Sequence, residues 1–310
     1  MGDSKSWKKR EEKIEMKILL FKGGETEREV SLMTAKNVSN SLKHLGHSVD
    51  EIDTKSNNLL SNNYKGIDLI FNALHGGIGE NGCLQGFLDT IEIPYTGSGV
   101  MASSLAMNKI ISKMLFAKFD INVAADKIVN IKEIMEKDPM SRPYVLKPIE
   151  GGSSIDVVII DKNFDMKKLS LSESGSKFFA EEFIAGREFS VAVIGDEILG
   201  IIEIKFNESF YNYKAKYKDS KTFFNFPNDM KIELKDKLEE YSLKAHRSLG
   251  CKGLTRADFI IPNSHPIDPV LLEINTLPGL TTHSLVPKIA QNKGLSYDDL
   301  IAKIIDEAII

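Results

Sequence analysis

The acidic residues near the C-terminal end are the first whose types and spacing suggest chemistry. Asp258 sits in the apolar run "TRADFII" and Glu273 in "LLEINT", with Asn275 two positions further on. Successive side chains of a strand point to opposite faces, so Glu273 and Asn275 share one face. Asp258 on a paired strand would complete a set of three oxygen ligands. Hard oxygen donors suit magnesium, held jointly with substrate phosphates. A carboxylate inside an apolar strand is costly unless it is paired, which favours a cation there. The competing reading is a charged pair facing solvent on two edge strands. Arg256 precedes Asp258 by two positions and shares its face. It would stabilise negative charge that develops in a transition state.

A second set consists of lysines and glycine-rich loops. Lys147 lies in an apolar run just before Pro148, Lys109 in a helical stretch, and Lys216 in an aromatic segment. A lysine inside an apolar strand needs an anionic partner, such as a nucleotide phosphate. Otherwise it snorkels from a strand end. The loop "GGSS", Gly151 to Ser154, offers backbone N–H groups and two hydroxyls between two strands. Such a loop can cover phosphates. "HGGIGENG", from His75 to Gly82, exposes backbone donors to a small substrate, and His75 reads either as a pocket residue or as a structural one. No G-x-x-x-x-G-K-[ST] is present, and no G-x-G-x-x-G follows the first strand. That excludes a P-loop and the dinucleotide fingerprint. Zinc-type Cys/His spacing and a serine-hydrolase elbow are absent as well. Cys83, Cys251, His246 and His265 read as structural.

These residues need elements to position them. "KILLF" from Lys17 predicts a first strand, and Glu29 to Leu45 an amphipathic helix. "HSVDEID" and Ile67 to Leu74 are the next two strands. Strand, helix, strand and glycine loop in this order predict an α/β unit on a parallel sheet, with ligand groups at the strand ends. "SSLAMNKIISKMLFAKF" predicts one continuous helix from Ser103. Several short strands follow, at "YVLKPI", "DVVII", "KFFAEEFI", "EFSVAVIG" and Ile198 to Ile204, in the manner of antiparallel sheets. The segment from Asn207 to Met230 is rich in Tyr, Phe and Lys without a steady period. It reads as a long loop, packed either on its own core or over a ligand. A helix over Glu233 to Leu249, the paired strands "GLTRADFII" and "PVLLEINT", and a final helix over Tyr297 to Ile309 complete the pattern.

The whole-chain properties narrow the class. The 310 residues accommodate two to three domains. With 42% hydrophobic residues the chain is neither disordered nor fibrous. Forty basic against 44 acidic residues leave a formal charge of -4, which argues against nucleic acid or an anionic membrane as partner. Two cysteines suit a reducing compartment, and no apolar run reaches 18 residues, so the expectation is a cytoplasmic protein without a membrane span. Met1 to Met16 lacks the apolar core of a signal peptide and reads as a loose extension.

Taken together and in order, the motifs resemble the D-alanine–D-alanine ligases, ATP-grasp enzymes of bacterial cell-wall precursor synthesis. They are "EREVSL" at Glu27, "HGGIGENGCLQG" at His75, "PYTGSGVMASSLAMNK" at Pro94, "KPIEGGSS" at Lys147, "EEFIAGREFSVAV" at Glu181, "YNYKAKY" at Tyr211, "TRADF" at Thr255 and "EINTLPGLTTHSLVPK" at Glu273. The resemblance runs from about Lys17 to the C-terminus. It implies a three-part ATP-grasp fold: an extension over 1–16, an N-terminal substrate-binding α/β domain over 17–105, a central ATP-grasp subdomain over 106–190, and a C-terminal catalytic domain over 191–310. Within the last, about 207–226 would be a mobile loop that closes over ATP. The implied reaction phosphorylates the carboxylate of one D-alanine, and the amine of a second attacks the acyl phosphate. Another carboxylate–amine ligase of the superfamily, a D-alanyl-D-lactate or D-alanyl-D-serine enzyme, and an inert nucleotide-binding module remain as alternatives. Tyr217 in "AKY" resembles the dipeptide-forming type.

The same resemblance assigns residues. Glu27 would hold the ammonium of the first D-alanine, networked with Ser153 and Tyr217, and His75 would belong to the substrate pocket. Lys109, Lys147 and Lys216 would contact phosphates, beneath a loop that carries Ser153 and Ser154. Glu181, Glu182, Phe183, Ile184 and Glu188 would bind adenine and ribose. Asp258, Glu273 and Asn275 would hold two magnesium ions, with manganese as a substitute. Arg256 and the Gly279 backbone would stabilise the oxyanion, and Ser284 would take the second D-alanine carboxylate. A homodimer is also implied. The chain departs from the usual pattern at Lys22, Glu25, Asn81, Asn108 and Asp156.

Overall fold

The structure is a computed structural model and describes residues 15–171, 177–205, 223–227, 230–264 and 267–309. Strand β1 (Lys17–Lys22) is buried from Ile18 to Phe21 because both of its faces are covered. It pairs in parallel with β2 (Ser48–Asp53) on one side and β3 (Leu69–Asn72) on the other. Ile18 and Leu20 face α1 (Arg28–His44), in one core with Val38 and Leu42. Leu19 and Phe21 face the opposite side, where they meet Leu84 and Leu88 of α2 (Cys83–Thr90). A parallel strand covered on both faces reads as a continuous apolar run, as "ILLF" does.

Two antiparallel sheets follow. One has the order β4-β7-β5-β6, from β4 (Asp126–Val129), β5 (Tyr144–Pro148), β6 (Val158–Ile160) and β7 (Phe178–Glu182). The other has the order β10-β9-β8-β11-β12, from β8 (Gly186–Ile194), β9 (Glu197–Lys205), β10 (Phe223–Asn225), β11 (Leu254–Pro262) and β12 (Val270–Asn275). The helices that flank them are α3 (Val100–Met107), α4 (Lys109–Lys118), α5 (Ile131–Glu136), α6 (Ile232–Ser248), α7 (Leu285–Asn292) and α8 (Tyr297–Ala308). Phe116 of α4 and Leu238, Tyr241 and Ala245 of α6 pack on Phe189, Val191, Ala257 and Phe259 of β8 and β11. Among the described residues no helix is long and apolar enough to cross a membrane.

The elements differ from the sequence-based expectation in several places. The helix expected from Ser103 is two helices, broken at Asn108. Its backbone leaves the helical region at φ -90, ψ 98, and its side chain accepts from the Ile111 N–H at 3.1 Å, capping α4. A hydrophobic pattern cannot reveal such a break, because the apolar face resumes on the far side. The short elements β4, α5 and α7 were hidden by their length. The expected boundary at 190 falls inside β8, all of which belongs to the five-stranded sheet. Of the aromatic segment 207–226, Phe223 to Phe226 are described, and Phe223–Asn225 forms the edge strand β10 against β9. The rest of it, with Lys216 and Tyr217, lies outside the described residues.

Candidate active site

Strands β11 and β12 assemble the acidic group. Asp258 lies opposite Glu273, and Arg256 opposite Asn275. The register slips by one residue after Asp258, so that Phe259 faces Leu271. All four polar side chains therefore come from one face of one strand pair, as the two-residue spacing predicts. Arg256 grips Asp258 with two parallel hydrogen bonds, Nε to Oδ1 at 2.8 Å and Nη2 to Oδ2 at 2.7 Å. Ser190 of β8 donates to Asp258 Oδ1 at 2.6 Å. Asn275 Oδ1 accepts from the Leu277 N–H at 2.7 Å. The set is two carboxylates and one amide, with no nitrogen or sulfur donor. That chemistry fits a hard divalent cation shared with phosphate oxygens. Arg256 holds both Asp258 oxygens here, so a bound cation shares or displaces the guanidinium.

Two adjoining cavities open on this face. A small polar one, of about 100 Å³, is lined by Glu27, His75, Ser153, Arg256, Asn275, Gly279 and Ser284 among others. A larger one, of about 730 Å³, lies between the two antiparallel sheets and is lined by Lys147, Ser154, Glu181, Glu182, Phe183, Ile184, Glu188 and Asp258. Lys109, Gly151, Gly152 and Glu273 line both. The walls of the larger cavity include Val145, Ile159, Ile204, Ile260 and Leu272, an apolar slot of a kind that accepts a planar base. Every expected site residue among those described thus lines one cavity or both.

In the small cavity, Glu27 caps the start of α1 in a left-handed conformation, φ 45. Thr26 donates to the His75 carbonyl at 3.0 Å, which ties this turn to the glycine loop after β3. His75 is buried, with Nε2 at 3.0 Å from Thr34 Oγ1 and Nδ1 at 3.8 Å from Glu80. On the opposite wall Ser284 precedes α7, and its Oγ lies 2.8 Å from Thr281 Oγ1. The loop between β5 and β6 turns through Gly151 (φ 112), Ser153 (φ 53), Ser154 (φ 58) and Asp156 (φ 57). Asp156 thus stands in a left-handed position where glycine costs least, and aspartate tolerates it better than most residues.

Beneath the larger cavity lies an ion-pair network in which the sequence pointed to Glu181 and Lys147 but missed Lys113 and Glu203. Glu181 is 2% exposed and accepts from two ammonium groups, those of Lys147 and Lys113. Burial pushes its carboxyl up, but Lys147 and Lys113 outweigh that and leave it below the usual carboxylate range. Lys113 is as buried as Glu181 and also meets Asp126 at 3.1 Å. The available signal was its spacing, four residues after Lys109 on one helix face. Lys109 reaches the Gly151 carbonyl at 2.5 Å and Glu273 at 3.8 Å. Glu203 of β9, also 2% exposed, accepts from Arg187 Nε at 2.7 Å and Asn225 Nδ2 at 2.9 Å. It escaped notice because strand alternation alone does not say which face is lined with ligand.

The chain is similar to known proteins over nearly its whole length. The sequence model for the D-ala D-ala ligase N-terminus matches residues 48–98, and that for the D-ala D-ala ligase C-terminus matches residues 112–306. The chain is 43% identical over 306 residues to a D-alanine–D-alanine ligase of Pelagibacter ubique, covering 95% of this chain and 98% of that one. It is 39% identical over 300 residues to one from Parvibaculum lavamentivorans, covering 94% and 97%. The crystal structure of the Bacillus anthracis D-alanine–D-alanine ligase complexed with ATP superposes with a TM-score of 0.81 at 29% identity, over 95% of this chain and 97% of that one. The VanG D-Ala:D-Ser ligase of Enterococcus faecalis superposes with a TM-score of 0.80 at 25% identity, over 95% and 100%. With its motifs gathered around two joined cavities and its relatives matched over almost their full length, the chain belongs to the D-alanine–D-alanine ligase family.

Proposed function

We infer that this chain joins two D-alanine molecules to D-alanyl-D-alanine, consuming ATP, as a step of peptidoglycan precursor synthesis in a bacterial cytoplasm. The observation that carries the reading is the junction of the cavities. A small polar pocket for amino acids meets a nucleotide-sized apolar slot across Lys109, Gly151, Gly152 and Glu273. A phosphoryl group passed from one to the other crosses at that junction.

The residues then take roles by position. Glu27 binds the ammonium of the first D-alanine and so presents its carboxylate towards the junction. Lys109 and Lys147 hold phosphate oxygens, and the loop from Gly151 to Ser154 covers them. Glu181, Glu182, Phe183, Ile184 and Glu188 surround the base and ribose. Asp258, Glu273 and Asn275 would hold magnesium, two ions in this reading, whose chemistry when bound would be to offset charge on the phosphate oxygens. Arg256 and the Gly279 N–H stabilise the oxyanion formed when the second amine attacks. Ser284 orients the carboxylate of that second D-alanine. Lys216 and Tyr217 join from the segment that would cover the nucleotide, where exclusion of water protects an acyl phosphate. The parts over 17–105, 106–190 and 191–310 serve as substrate, nucleotide-capping and catalytic regions, in a homodimer.

Phosphate release from ATP and magnesium tests the reading. D-alanine should stimulate it and L-alanine should not. Stimulation requiring added D-serine or D-lactate would move the chain to the neighbouring specificity. Nucleotide binding with no stimulation at any D-alanine concentration would leave an inert module.

A further inference from the structure

Lys113 belongs to neither cavity lining, yet it is among the most buried charges in the protein. It rises from α4, one helical turn after Lys109, and its ammonium meets three groups. These are the Glu181 carboxylate, Asp126 Oδ1 at 3.1 Å, and the face of the Phe179 ring at 5.5 Å from its centre. A lysine with 2% of its surface exposed has lost nearly all of its hydration, so it persists only because it is paired. Its main partner, Glu181, is shared with Lys147, which lines the nucleotide cavity. One carboxylate therefore binds two cations, one turned to the interior and the other to the ligand.

The consequence concerns what happens when a phosphate arrives. A phosphate that draws on Lys147 weakens its hold on Glu181, since the two anions then share one ammonium. A buried carboxylate left without a partner is strongly disfavoured. Because Lys113 stays, Glu181 keeps a charge-assisted hydrogen bond throughout. We propose that Lys113 is a positioning residue for nucleotide binding: by holding Glu181 from behind, it releases Lys147 to the phosphates. Without it, Lys147 is the one cation left to Glu181 among the described residues, and Glu181 competes with the nucleotide for it. The proposal rests on the nucleotide reading of the larger cavity.

Equilibrium binding of the β,γ-imido analogue of ATP, with magnesium and the full chain, tests it. Binding by the wild-type protein checks the nucleotide reading first, and its failure would sink that reading rather than the role of Lys113. Given binding, Lys113→Met should weaken it tenfold or more, while the KM for D-alanine at saturating ATP stays within twofold. In a Glu181→Gln background the same substitution should matter less than twofold, because the competing charge is gone. Asp126→Asn works in the opposite sense. It removes the rival partner of Lys113, so binding should hold or tighten, and this variant keeps the buried ion pair intact should Lys113→Met fold poorly. Undiminished binding by folded Lys113→Met, an equal loss in the Glu181→Gln background, or a tenfold loss from Asp126→Asn would each overturn the proposal.

Discussion

Gly279 stands where a side chain would collide with the hydroxyl of Ser284, the residue proposed to take the second D-alanine carboxylate. A Cβ built on it would lie 2.8 Å from Ser284 Oγ, closer than real Cβ atoms come to a neighbour, and 4.0 Å from the His75 ring. Ser284 cannot yield freely, since its Oγ also accepts from the Thr281 N–H at 3.1 Å. Gly279→Ala therefore should displace Ser284 and raise the KM for the second D-alanine about tenfold or more, the scale of a lost charge-assisted hydrogen bond. Phosphate release at varied D-alanine measures it, and an unchanged KM would remove Ser284 from its assigned place. At this scale the sequence is most informative where one residue type at one spacing has few uses. The two-residue spacing of Arg256 and Asp258, and of Glu273 and Asn275, is enough by itself to put each pair on a shared face. Pairing is not legible in that way. That Arg256 closes on Asp258, or that Lys113 sits behind Glu181, depends on side-chain geometry and on contacts between elements distant in sequence.

Helix α6 shows how an element is pinned beside the site. His246, 3% exposed in its last turn, places Nδ1 at 2.8 Å from Thr255 Oγ1 of β11, next to Arg256. Burial lowers its pKa from 6.5 to about 4, with Arg247 pulling the same way and Asp196 opposing. The folded value lies below the unfolded one, so the unfolded chain takes up the extra proton between them. Stability from this group is complete above pH 6.5 and is lost as pH falls from there towards 4. Between pH 7 and pH 5 the loss is about 2 kcal/mol. Urea unfolding at the two pH values should show it in the wild-type chain and much less of it in His246→Gln. Equal losses in both would mean that other groups carry the pH dependence. The sequence marks α6 by its periodicity and His246 as structural, and it misses the break at Asn108. A helix cap in mid-pattern is written in one side chain, and the apolar stripe on either side conceals it.

The three sheets do not divide the molecule into three cores. Ile18, Leu20, Val38 and Leu42 from the first sheet and its helix share one apolar cluster with Ile194 and Ile202 of β8 and β9 and with Leu300, Ile301, Ile304 and Ile305 of α8. Ser41 of α1 donates to Asp298 at the start of α8 at 2.5 Å, which joins the first helix to the last. Hydrophobic patterning tells which face of each element is apolar but not what covers it, so the expected boundaries near 105 and 190 cut through shared packing. Glu27 stands at the turn after β1 and His75 in the loop after β3, while Gly279 and Ser284 lie just before α7, and all four line the small cavity. The small cavity keeps its shape only while the two ends of the chain remain docked. Ile301 is fully buried at that junction. Ile301→Ala should cost about 2–5 kcal/mol, the range for removing a large buried aliphatic side chain. If the core is one cooperative unit, amide exchange in β1, β3 and α1 should accelerate together with that in α8. Exchange that accelerates in α8 while β1 and β3 stay protected would show instead that the first sheet is stable alone.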